Sequence, residues 1–140
     1  MPFTRILVAI DGSDCSNRAF ATALELAQLA KAHLTALAVE GPLPMYAATI
    51  GEVEEAKREK DAYFTTLGDT ARTQAAAAGI TLEVDVRPGH PAELISRVAK
   101  EGGYDLVIVG QRGHFVRDHL LGSTADRVAE YAHCPVMIVR

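Results

Sequence analysis

Five short apolar runs mark the chain, the first four followed by residues that turn or break the backbone. Residues 4–10 hold the uninterrupted aliphatics Ile6 to Ile10, and Leu106-Val107-Ile108-Val109 is a second such run. A run with no polar alternation predicts a strand covered on both faces, as in the middle of a parallel sheet. Leu34 to Glu40 predicts another strand, ended by Gly41-Pro42-Leu43-Pro44, where two prolines break pairing and force an extended loop. Residues 81–86 alternate instead, Leu82, Val84 and Val86 against Thr81, Glu83 and Asp85. One wet face predicts an edge strand. Val136 to Val139 is the last.

Between these runs the apolar spacing changes to three and four. Asp11-Gly12-Ser13-Asp14 reads as a turn, with Ser13 as the N-cap of a helix and Asp14 in its first turn. That helix carries Ala19, Phe20, Ala23, Leu24, Ala27 and Ala30 on one face. Residues 52–78 predict the longest helix, with Val53, Ala56, Tyr63, Phe64, Leu67, Ala71, Ala75 and Ala78 facing inward and Gly79 at its end. Its charges mix both signs, which marks a solvated face. Met45, Tyr46 and Ile50 fall in the loop before it, either capping the core or covering a ligand. A third helix starts at Pro91, packs Leu94, Ile95, Val98 and Ala99 inward, and stops at Gly102-Gly103. A fourth carries Ala125, Val128, Ala129 and Ala132, with Ser123 as its cap.

Strands alternating with helices predict an α/β fold: an open, doubly wound, five-stranded parallel sheet with right-handed crossovers and helices on both faces. Such sheets bind ligands outside the carboxyl ends of the strands, where the strand order reverses. Asp11 and Gly110 both end strands at that edge. If the first and fourth strands are neighbours, the two turns meet in one crevice.

Composition narrows the class without naming it. A chain of 140 residues fits one domain, residues 1–140. The net charge of −4 argues against a nucleic-acid partner, and no apolar run is long enough to span a membrane. Met1-Pro2-Phe3-Thr4-Arg5 leads straight into a strand, leaving no room for a signal peptide. Cys15 and Cys134 suit free thiols in a reducing compartment. The expectation is a soluble cytoplasmic protein.

The candidate chemistry lies at the strand ends. After the run at 106–109 come Gly110 and Gly113, then Gly122-Ser123-Thr124 at a helix start. Glycines let backbone N–H groups approach an anion, and helix N-termini present unpaired N–H groups, so together they predict a phosphate cradle. It is neither a Walker A loop, lacking the Lys, nor the dinucleotide fingerprint. By spacing alone, tight-turn chemistry explains the glycines equally well. Asp11 either hydrogen-bonds within its own turn or faces a ligand. His114, Arg117, Asp118 and His119 fall between Gly113 and Gly122, either as an exposed loop or with Arg117 on phosphate. The five histidines show no metal-ligand spacing on a helix, and no nucleophile–base set or committed general base is legible.

Three separated motifs in order give the chain a resemblance to the universal stress protein family, nucleotide-binding branch. They are Ile6-Leu7-Val8-Ala9-Ile10-Asp11-Gly12-Ser13, Gly110-Gln111-Arg112-Gly113…Gly122-Ser123-Thr124, and His133-Cys134-Pro135-Val136-Met137-Ile138-Val139. The family pattern has nine residues between its second and third glycines, and this chain has eight. The resemblance implies a Rossmann-like, adenine nucleotide alpha hydrolase-like fold binding ATP, or AMP or ADP, with Mg. It implies cofactor contacts at Ala9, Ile10, Asp11, Val39, Val109, Gly110, Arg112, Gly113, Arg117, Gly122, Ser123 and Thr124. Val39 would contact adenine through its backbone, and Asp11 would lie near ribose and phosphates, reaching Mg through them. A homodimer through Val136–Val139 and a binding protein rather than an enzyme complete the expectation. A nucleotide-free interaction module of the same fold and a slow ATPase or ATP-using transferase stand as alternatives.

Overall fold

The computed structural model describes residues 3–41, 49–112 and 123–140. In chain order the elements are β1 (Arg5–Ala9), α1 (Asp14–Ala30), β2 (His33–Glu40), α2 (Ile50–Ala77), β3 (Leu82–Pro88), α3 (Pro91–Glu101), β4 (Leu106–Gly110), α4 (Ser123–Tyr131) and β5 (Val136–Val139). The strands form one parallel sheet in the order β3-β2-β1-β4-β5. The expected fold class is what the chain adopts, with β3 at one edge as its alternation predicts.

Alternate residues of the central strands divide the core in two. Ile6, Val8, Leu34, Ala36 and Ile108 point to the face covered by α1 and by Ala71 of α2. Leu7, Leu37, Val107 and Val109 point to the face covered by α3 and α4. This two-sided burial is why the runs in β1 and β4 carry no polar alternation. Direct β1–β4 pairing, Ile6↔Leu106 to Val8↔Ile108, sets the reversal of strand order between them.

Local rules place most helix ends. Ser13 caps α1, its side chain accepting from the Ser16 N–H at 3.3 Å. Gly79 follows α2 with φ of +74°, while the Ile80 N–H bonds back to the Ala75 carbonyl at 2.8 Å. α3 opens with Pro91 and is capped by Gly102.

Several expectations change in detail. Ile50 is not in a loop but begins α2, and both Ile50 and Val53 are exposed. A helix of 28 residues is about 42 Å long, whereas eight residues of strand span about 26 Å, so α2 overhangs the sheet at its start. Only from Phe64 onward does its apolar stripe pack down. Ala129 is exposed, since α4 covers the sheet with Ala125 and Val128. α4 also begins at Ser123 itself, so the cap position before it lies outside the described residues.

Candidate functional site at the carboxyl edge

Parallel strands put all their carboxyl ends on one edge, and several of the predicted residues lie along it, those ending β1 and β4 on either side of the switch point. Ala9 ends β1, and Ile10, just beyond, donates its N–H to the Leu37 carbonyl at 2.9 Å. Asp11 follows. Val39 lies at the end of β2, half-buried against the second core. Val109 is buried, and Gly110 closes β4 opposite Val139. Arg112 stands two residues further on, half-buried. Thr124, half-buried, lies in the first turn of α4, whose opening N–H groups lack helical partners. Gly113, Arg117 and Gly122 lie outside the described residues, as do Met45, Tyr46, His114, Asp118 and His119.

The turn after β1 is held from several directions. The Asp11 N–H donates to Ser16 Oγ at 2.9 Å, and the Ser13 N–H donates to Asp11 Oδ1 at 2.9 Å. The turn hydrogen bond expected of an aspartate here is therefore made. It engages Oδ1 and is compatible with a ligand-facing carboxylate. Gly12 has φ of +84°, a conformation side chains rarely adopt. Tyr63, reaching across from α2, donates its hydroxyl to the Asp11 carbonyl. Its phenol is pushed above its ordinary pKa, first by burial and then by the Asp11 charge, so it stays protonated near neutral pH.

Gly110 answers a packing demand from the protein itself. A Cβ there would lie 2.8 Å from the Cys15 carbonyl carbon and 2.9 Å from the Ser16 nitrogen. β4 can therefore end directly against the first turn of α1 only with no side chain at Gly110. Beyond it the Gln111 N–H donates to the Val139 carbonyl at 2.6 Å, fixing the exit from β4 to the end of β5.

Sequence reasoning passed over Ser16 and Tyr63. Ser16 sits three residues after an N-cap serine, a position where a hydroxyl next to a strand-end turn is a usable signal. The Tyr63 bond joins residues 52 apart, and periodicity predicts only an inward-facing Tyr63, whereas the residue is 44% exposed and only its hydroxyl reaches the β1 turn. Among the described residues no three His, Cys, Asp or Glu side chains cluster as a metal site. Cys15 and Cys134 are both free thiols. Among the described residues no helix is long and apolar enough to cross a membrane.

The universal stress protein family model matches residues 2–140. Universal stress protein YxiE of Bacillus subtilis (strain 168) is 33% identical over 147 residues, covering 99% of each chain. A universal stress protein of Thermus aquaticus is 36% identical over 143 residues, again covering 99% of each. Among solved structures, universal stress protein UspA from Lactobacillus plantarum superposes with a TM-score of 0.85 at 29% identity, over 100% of this chain and 99% of that one. A universal stress protein solved in complex with cAMP gives 0.77 at 28% identity, with the same coverage. An Arabidopsis thaliana family protein with AMP bound, 22% identical, shares the fold at a TM-score of 0.70 over 97% of this chain and 90% of its own. The chain belongs to the universal stress protein family.

Proposed function

We propose that the protein binds an adenine nucleotide, ATP with Mg first among the candidates, at the carboxyl edge between β1 and β4. The observation that carries this is the junction itself: the β1 turn and the end of β4 abut at the switch point, with the start of α4 following in the chain. Backbone N–H groups at a strand end and a helix start suit an anion, and Arg112 adds positive charge. The cAMP and AMP complexes of the structural neighbours support an adenosine ligand.

The contacts we assign are Ala9, Ile10, Asp11, Val39, Val109, Gly110, Arg112, Gly113, Arg117, Gly122, Ser123 and Thr124. Asp11 is the one carboxylate among them, and it would meet Mg through the phosphates rather than as part of a protein cage, as is usual for this ion. Nucleotide occupancy would alter conformation or partner choice in a cytoplasmic homodimer joined through β5, without turnover. Titration calorimetry with Mg-ATP, AMP and cAMP tests the assignment. Heat of binding to at least one of them at micromolar to millimolar concentration is expected. A protein indifferent to all three at millimolar concentration has no such site, and the nucleotide-free module of the same fold would then be the better description.

A further inference from the structure

Two side chains on one face of α2 reach the carboxyl edge of the sheet, and neither belongs to the contacts assigned above. The Tyr63 hydroxyl donates to the main-chain carbonyl of Asp11, and the Lys60 ammonium donates to that of Gly41. Three residues apart, they are neighbours on the helix surface. They continue the stripe of Phe64, Leu67, Gly68, Ala71 and Ala75 by which α2 packs on the sheet. Residues 50–59 before them are exposed, except for half-buried Ala56. The two hydrogen bonds thus mark where α2 first grips the sheet, and what it grips are the chain segments just past β1 and β2.

Tyr63 is itself held in place. Its ring meets Phe64 edge-on, with centroids 5.3 Å apart and planes at 87°. Its phenol fills the space a side chain on Gly12 would need, with Leu67 behind it 3.7 Å from that Cβ position. Asp11 is consequently fixed at its N–H by Ser16, at Oδ1 by Ser13 and at its carbonyl by Tyr63. The end of β2 has a like restraint from Lys60 at Gly41, two residues after Val39.

We infer that Tyr63 and Lys60 are positioning residues for the nucleoside half of the ligand, holding the β1 and β2 ends at the separation that half must span. This rests on the nucleotide reading of the site. The division follows from topology: β2 and β1 lie on one side of the switch point, while β4 and the start of α4, which suit phosphate, lie on the other. The Asp11 carboxylate, which would meet Mg through the phosphates, is set separately by the Ser13 N–H, so loss of either main-chain restraint should weaken binding by a factor independent of the number of phosphates.

The test is calorimetry of Tyr63→Phe and Lys60→Gln with AMP and with Mg-ATP, beside thermal melting of each variant. Each should bind both ligands about three- to tenfold more weakly, the worth of one hydrogen bond, with the ATP-to-AMP affinity ratio kept within about twofold of the parent's. A lower melting temperature with both affinities unchanged would make the two bonds purely structural and end the inference. A loss confined to ATP would place them on the phosphates and end it equally. A parent that binds neither nucleotide removes the nucleotide reading, whereas a parent that binds both, with unaffected variants, removes this inference alone.

Discussion

Asp11 shows at the scale of one residue how turn chemistry and ligand chemistry share a side chain. Its Oδ1 accepts the Ser13 N–H, so the carboxylate shapes the entry to α1 whatever else it does. Asparagine keeps an acceptor in that place and removes the charge. Asp11→Asn is therefore expected to retain stability within about 0.5 kcal/mol while weakening Mg-ATP binding by about 1–3 kcal/mol. Asp11→Ala loses the turn bond as well and should cost about 0.5–1.5 kcal/mol of stability besides. Urea denaturation and calorimetry on the two variants separate the effects. Unchanged Mg-ATP affinity in Asp11→Asn would leave Asp11 as a turn residue only. The aspartate and its turn were legible from Asp11-Gly12-Ser13 because the hydrogen bonds involved are local. Gly110 was legible as a glycine needing close approach, but what approaches it is Cys15 and Ser16 of α1, a tertiary contact no spacing encodes.

Strands and helices were the most readable level, since burial on two faces and burial on one leave different patterns. β1, β4 and the alternating β3 lie where their patterns put them; α2 does not bury its first turns, because length against the sheet rather than periodicity decides that. The opposite edge of the sheet carries a feature the patterns did not disclose. Asp105, before β4, accepts from the Thr4 N–H and hydroxyl, both at 2.8 Å, and from the Arg5 N–H at 3.2 Å. Arg5 in turn donates to the Gly102 carbonyl at 3.0 Å and lies over the Tyr104 ring at 4.7 Å. Desolvation pushes the Asp105 carboxyl up, but the Thr4 and Arg5 hydrogen bonds together outweigh it and hold the group below its ordinary value. A carboxyl depressed in the folded state stabilises fully above its unfolded pKa, near pH 4, and the benefit fades as pH falls through the folded value. Asp105→Asn should thus melt below the parent at pH 7, and the gap should close as the pH is lowered from about 4 toward 2. Melting curves across that range check the sign: a gap that widened in acid would mean the clamp acts through something other than the carboxylate.

For the whole molecule, the sheet order decides which edge remains open to another chain. β3 ends the sheet on one side with Glu83, Asp85 and Arg87 along it, and charge on an edge discourages pairing. β5 ends it on the other with Val136, Met137, Ile138 and Val139, none fully buried and Met137 36% exposed. Neither charge nor proline blunts that edge between Val136 and Val139. The register also shows which backbone groups face outward. The Pro135 and Val139 carbonyls accept from Val107 and Gln111, next to and in line with β4, so the alternation of a strand turns the polar groups of Val136 and Ile138 to the open side. A two-fold axis would let β5 pair antiparallel with its copy and remove the edge, which is the dimer proposed above. Ile138→Pro deletes one outward N–H and leaves the bonds to β4 intact, and proline is tolerated on an edge strand. The variant is therefore expected to sediment as a folded monomer at micromolar concentration, and the parent is expected to sediment as a dimer there. A parent already at monomer mass removes the dimer, and a variant that stays dimeric moves the interface away from β5.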